Sequence, residues 1–215
     1  MKKLLILIIM LSVTGVAYGA SIVNSKHDMR FFVENEETDQ VCVFCHTPHQ
    51  MSDAASQYPL WNKQVSTNTF GIYSSPTLDA DDITEIGGAA AGAQSVSALC
   101  MGCHDGSVAV NSLYRLPSDG SAGTPKMVPE IYSLGGSLSD DHPINFTYDT
   151  DLATQDGGLK APFSSSKVDN VAPYLPLFDG SMQCATCHNV HNPEYQPFLR
   201  STVNGSQLCL RCHVK

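Results

Sequence analysis

Charge is scarce in this chain, and most of it carries one sign. Only 15% of the 215 residues are Asp, Glu, Lys or Arg, with 12 basic against 21 acidic and a net charge of −9. Low charge beside 42% apolar residues excludes a disordered polyelectrolyte, because such a chain gains by compaction. The shortage of basic residues argues against nucleic acid and anionic membranes as partners, since both repel an acidic surface. Tryptophan occurs once, at Trp61, and long runs with helical periodicity are missing. The 16 Gly and 12 Pro are spread throughout instead. Something other than a large side-chain core must therefore organise the fold.

Long apolar runs are lacking too, with one exception at the N-terminus. Met1-Lys2-Lys3 is a short basic start, Leu4 to Leu11 is unbroken apolar sequence, and Ala17-Tyr18-Gly19 offers small residues at the two positions a signal peptidase reads. A cut after Ala20 would put bulky Tyr18 at the wrong position. The run is too short to span a bilayer, which weakens the alternative of a membrane anchor. The expectation is a cleaved signal peptide over residues 1–19 and an exported, soluble domain over residues 20–215. Loss of Lys2 and Lys3 leaves a net charge of −11.

No cysteine lies outside a C-x-x-C-H unit. The four units are Cys42-Val43-Phe44-Cys45-His46, Cys100-Met101-Gly102-Cys103-His104, Cys184-Ala185-Thr186-Cys187-His188 and Cys209-Leu210-Arg211-Cys212-His213. Three chemistries compete: a disulfide framework in an exported chain, structural zinc, and c-type haem attachment. The histidine separates them. It makes up 8 of 215 residues, so its chance appearance after all four pairs is roughly two in a million. Disulfides have no use for it, and zinc sites would have to share ligands. Haem uses every residue, with two thioethers on the macrocycle edge and the adjacent imidazole on the iron. The sequence thus points to four covalently bound c-type haems, with His46, His104, His188 and His213 as proximal ligands.

Four histidines remain: His27, His49, His142 and His191. A spare histidine is ordinarily a surface or core residue, but here four six-coordinate irons need four further ligands. His49 follows His46 by three residues, and His191 follows His188 by three. Trans ligands stand on opposite faces of a porphyrin, so residues three apart serve two adjacent irons and imply a close pair of haems. Met29, Met51, Met101, Met127 and Met182 are rival ligands, though none has a marked position. Histidine on both faces implies lower potentials than His/Met ligation.

The order of these sites repeats. His27, Cys42-to-His49 and Ser97-Ala98-Leu99-Cys100 are echoed by His142, Cys184-to-His191 and Ser206-Gln207-Leu208-Cys209. Phe31 and Phe146 follow His27 and His142 at equal spacing, and Tyr58-Pro59-Leu60-Trp61 resembles Gln196-Pro197-Phe198-Leu199. Two two-haem halves, about 20–115 and 130–215, read as one domain with unequal insertions. The expected fold is mostly irregular coil with short α-helices at the four attachment sites, little β structure and a haem stack as core. Residues 83–98 read as loop or weak helix. Residues 115–181 read as an irregular wrap with turns at Asp119-Gly120, Gly135-Gly136, Asp156-Gly157 and Asp179-Gly180. Four haems among residues 20–215 leave about 49 residues each, a thin coat of protein.

Several stretches resemble the doubled C-x-x-C-H cytochrome family. They include Lys26-His27-Asp28, Val41 through His49, Pro59-Leu60-Trp61, Tyr73 through Asp79, Leu99 through Asn111, Phe198-Leu199-Arg200 and Leu208-Cys209. The match is similar to the tetrahaem outer-membrane cytochrome E type of metal-reducing bacteria, whose members polymerise into extracellular filaments. The resemblance implies a conductive homopolymer with head-to-tail contacts, a continuous chain of alternating stacked and T-shaped haem pairs, and extracellular metal, mineral or redox-protein acceptors. It further implies one axial ligand donated between subunits, for which His27 is the candidate. Its alternative is ligation within its own chain.

Electron transfer is the function these residues point to, in such a filament or in a monomeric periplasmic shuttle. A multihaem reductase is the third class. The ligand count leaves no open iron and no C-x-x-C-K variant occurs, so the reading is an electron carrier and not an enzyme. Trp61 is a candidate for packing on a porphyrin or for ordinary burial. Asp105 and Lys26 are candidates for bonding propionates or tuning an imidazole.

Overall fold

The computed structural model describes residues 21–34, 38–47, 60–87 and 95–214. The expected signal peptide, His49, Met51, Tyr58-Pro59 and residues 88–94 lie outside the described residues.

Regular elements are short because Gly, Pro and Asp-Gly pairs interrupt each run within a turn or two. The first helix, α1, covers Met29–Phe32. Two-residue strands follow, β1 (Thr69–Phe70) antiparallel to β2 (Ile86–Gly87), with Phe70 opposite Ile86. The longest helix among the described residues, α2 (Val96–His104), starts at Ser95, whose hydroxyl accepts the Ala98 amide in the usual manner of an N-cap. It packs tightly against residues 63–65. A Cβ at Gly102 would stand 3.0 Å from the Gln64 carbonyl oxygen.

The second half begins with β3 (Phe146–Thr147), followed by α3 (Thr150–Asp156), β4 (Ser181–Met182) and α4 (Cys184–Cys187). Strands β3 and β4 are antiparallel, with Phe146 opposite Met182. Helix α3 lies inside the stretch whose composition reads as irregular wrap. Its ends carry local signals: the Asp149 carboxylate accepts the Leu152 amide at 2.8 Å, and Gly157 closes the helix at φ 69°. Two turns are too few for a hydrophobic period to register. The turn before β4 has Asp179 and Gly180 both at positive φ, with Phe178 and Ser181 exchanging two backbone hydrogen bonds.

Among the described residues, side chains form three small cores. Phe146, Tyr148, Val168, Leu175, Leu177 and Met182 are buried together with Ala80. Phe70, Ile86, Ala98, Met101 and Leu138 make a second cluster, and Val33, Phe44 and Val110 a third. The third ties the N-terminal arm to the first attachment sequence.

Residues 169–173 are pinned to the last attachment sequence by Arg211. Its guanidinium pairs with Asp169 through both arms of the fork and also donates to the Val171 carbonyl at 2.6 Å and the Pro173 carbonyl at 3.2 Å. Burial pushes the Asp169 carboxyl up, but the Arg211 bonds pull it further down, below the ordinary aspartate value. A depressed carboxyl contributes stability above its unfolded value of about 3.9 and loses it as pH falls through the lower folded value. Asp169→Asn is therefore expected to be less stable than wild type near neutral pH, with the gap closing as pH falls below the unfolded value of about 3.9. Denaturant midpoints on either side of that value measure this.

Candidate functional site

Each attachment sequence sits on a single turn of helix, which brings both cysteines and the histidine to one side. The first lies on a 3-10 turn, Val41–Phe44, the second ends α2, the third is α4, and the fourth follows a 3-10 turn, Cys209–Arg211. Backbone bonds close three of these turns: the amides of His46, His188 and His213 donate to the carbonyls of Cys42, Cys184 and Cys209 at 2.8–3.0 Å. All eight cysteines are free. Burial pushes the Cys45 thiol up to about 12 and the Cys187 thiol to about 11.

The imidazoles meet in twos. His46 faces His191 with ring centroids 6.1 Å apart and planes inclined by 22°. His27 faces His104 at 6.1 Å and 51°. His142 faces His213 at 6.3 Å and 77°. Those separations are too long for ring stacking. A metal–imidazole bond is about 2.0 Å and a ring centroid lies about 1.1 Å behind its nitrogen, so two rings trans on one metal stand about 6.2 Å apart. All three gaps match this within a few tenths of an ångström.

The ring nitrogens are prepared for such a role. Nδ1 of His104, His142 and His188 lies 2.8, 2.9 and 3.0 Å from the carbonyl oxygens of Tyr132, Pro143 and Pro197. A carbonyl only accepts, so Nδ1 carries the proton and Nε2 keeps its lone pair. Burial, with His104, His188 and His191 nearby, lowers the His27 pKa to about 4. Burial also lowers His142 and His46, beside His213 and His191 respectively. Neutral imidazole, the form that ligates, is thus favoured at neutral pH.

The donor set fits haem better than the two rival chemistries. Among the described residues no group of three or more His, Cys, Asp or Glu converges as zinc held by protein ligands would require. Opposed imidazole pairs with a cysteine pair on the same turn suit a macrocycle that supplies the other four ligands itself. Two buried ring nitrogens, His27 Nδ1 and Trp61 Nε1, have no hydrogen-bond partner among the described residues, which native interiors seldom tolerate. Trp61 stands edge-on to His46 at 6.1 Å.

The pairs follow the internal repeat. His27–His104 and His142–His213 are equivalent, each joining the first and last histidines of one half. His46–His191 instead crosses between the halves. The resemblance directs His27 to a neighbouring copy, but in the structure it faces His104 of its own chain. The arm holds it there: buried Asp28 accepts the Asn24 amide and the Arg30 guanidinium at 2.8–2.9 Å, and Phe198 packs edge-on against the His27 ring at 4.5 Å. His188 has no opposed histidine among the described residues, and His49 lies outside them.

Other residues that organise the site carry no motif. The stretch 60–68 hydrogen-bonds along the first attachment sequence, through Thr47 N to Leu60 O and Asn62 N to Cys45 O, both 2.8 Å. The same stretch reaches the second: Ser66 Oγ and Asn68 Nδ2 donate to Asp105, beside His104, at 2.5 and 3.3 Å. Asp105 also accepts from the Ser107 amide and hydroxyl. Its oxygens are thus engaged by protein donors. Ser97 bridges α2 and α4, donating to Gln183 Oε1 at 2.5 Å and accepting the Cys184 amide at 3.0 Å. Lys26 lines a cleft beside the arm with Phe31, Phe32 and Pro193.

The doubled CXXCH motif family matches residues 176–215, which contain the third and fourth attachment sequences and His191. No curated protein matches the chain. The doubled motif is a signature of covalently bound c-type haem, and the match covers the last 40 of the 215 residues, one pair of attachment sequences.

Proposed function

We propose that the chain binds four c-type haems, each between two imidazoles, and serves as an electron carrier rather than an enzyme. The observation that carries this reading is the set of three imidazole pairs at iron spacing. Cys42 and Cys45 would hold the haem between His46 and His191, Cys100 and Cys103 that between His104 and His27, and Cys209 and Cys212 that between His213 and His142. The repeat assigns His49 to the remaining haem, at Cys184 and Cys187 with His188. Bound haem supplies reversible one-electron chemistry. The protein's part is to fix ring orientation through the Nδ1–carbonyl bonds and to keep the imidazoles neutral. Imidazole on both faces leaves no position for a substrate, which favours a carrier over a reductase. Intact mass of the secreted protein tests this reading: four haems with a wholly low-spin spectrum are expected, and a smaller mass increment or a high-spin fraction would overturn it.

Two settings follow. Three imidazole pairs formed inside one chain support the self-contained periplasmic shuttle. The resemblance supports the secreted filament, whose copies would then meet without His27 crossing between them. Sizing of sheared or secreted material separates the two, because the shuttle elutes as a monomer and the filament in the excluded volume.

A further inference from the structure

Lys63 is the most fully buried charged residue described, at 1% exposure. A buried lysine is rare unless it is paired. This one has little pairing. Its ammonium makes one long hydrogen bond, 3.4 Å to the neighbouring Gln64 carbonyl. Among the described residues no carboxylate lies within ion-pair distance of it. Asp105, the acidic side chain that acts on it electrostatically, is engaged by Ser66, Asn68 and Ser107.

The position is built. The Lys63 backbone bridges to Leu113, and the flanking Asn62 is locked by three hydrogen bonds, to the Val43 and Arg115 carbonyls and from the Arg115 amide. The segment lies between the first attachment sequence, through Asn62 N to Cys45 O, and α2, through the close approach of Gln64 to Gly102. The side chain has both Cys45 and Cys103 as electrostatic neighbours, each from a different attachment sequence. Both thiols become neutral thioethers when haem is attached, so they cannot compensate the ammonium.

From this geometry we propose that Lys63 is a positioned cation serving the two haems attached at Cys42/Cys45 and at Cys100/Cys103, where its charge favours their reduced state. The proposal rests on the haem reading above. Adding an electron makes each haem more negative by one charge, and a positive group held in a poorly solvated interior stabilises that form more than it would in water. The residue is then a tuning element for one half of the molecule. No equivalent lysine stands in the other half, where the repeat places Ser201 at the position of Lys63 and Arg200 at that of Asn62.

Lys63→Met and Lys63→Gln test it, the first removing charge and donor and the second the charge alone. Intact mass first verifies that each variant carries the same haems as wild type, so failure of the haem reading shows separately from failure of this one. In a spectroelectrochemical titration two components are expected to move to more negative potential in both variants, each by at least threefold in its reduction equilibrium. That is about 28 mV at 59 mV per tenfold for one electron. Two unmoved components serve as the internal control. Potentials unchanged in both variants, or all four shifting together, would overturn the proposal. A measurement on wild type guards against variants that do not mature. In 15N-lysine-labelled protein one solvent-protected ammonium resonance should shift on haem reduction, and a neutral amine or an unresponsive resonance there equally sinks the idea.

Discussion

Replacing His191 with Ala is expected to open one axial position per chain, on the haem attached at Cys42 and Cys45 and not on the haem whose own attachment sequence lies three residues away. His191 faces His46 across 6.1 Å, the spacing of two rings trans on one metal. Its own neighbour, His188, points its ring elsewhere, with Nδ1 on the Pro197 carbonyl. The reduced variant should bind one equivalent of carbon monoxide where wild type binds none, and one haem in four should turn high-spin. The assignment is checked by adding Cys42→Ser and Cys45→Ser, which deletes the first haem. Carbon monoxide binding should then vanish, and its persistence would show that His191 serves a different iron. A return to the low-spin spectrum on adding free imidazole to His191→Ala distinguishes a lost ligand from a misfolded site.

The chemistry of this site was legible in the sequence because it is local. Two cysteines, two intervening residues and a histidine need only one turn of backbone to face the same way, so the spacing alone carries the information. The expectation that histidines three apart serve different irons is equally local, and in the structure the ring that faces His191 is that of His46. Partner choice was not legible. His27 opposite His104, and His142 opposite His213, depend on where Asp28, Phe198 and the Tyr132 and Pro143 carbonyls bring chain segments together. Whether His27 serves its own chain or a neighbouring copy was open for the same reason, since no sequence spacing records which chain supplies the facing ring.

The fold divides along the same line. Asp179-Gly180 and the cap signals of α3 are short-range features, the first recognised as a turn and the second obscured by the glycines and prolines around it. The work of residues 60–68 had no such signature. Lys63, Ser66 and Asn68 are ordinary residues whose role arises because the first attachment sequence and α2 lie on either side of them. Asp105 is a mixed case. Its place beside His104 marks it in the sequence as a candidate partner for imidazole or propionate, while the bonds it accepts from Ser66, Asn68 and Ser107 carry no such mark.

The ring planes carry a second large consequence, readable by electron paramagnetic resonance of the oxidised protein. Two axial imidazoles with nearly parallel planes split the iron d orbitals that overlap them unequally, which produces a rhombic three-line low-spin signal. Perpendicular planes act on both orbitals alike, leave them nearly degenerate, and move the signal to a single, strongly anisotropic low-field line. His46 and His191 are inclined by 22°, His27 and His104 by 51°, and His142 and His213 by 77°. The Cys42/Cys45 haem is therefore expected to show the rhombic set and the Cys209/Cys212 haem the low-field line. The orientations are held by the protein, since His142 Nδ1 is tied to the Pro143 carbonyl and His46 packs edge-on against Trp61. His191→Ala should erase the rhombic set and leave the low-field line, while His142→Ala should do the reverse. Identical spectra from the two variants would mean that the ring orientations do not survive around bound haem, and the pairing drawn from them would fall as well.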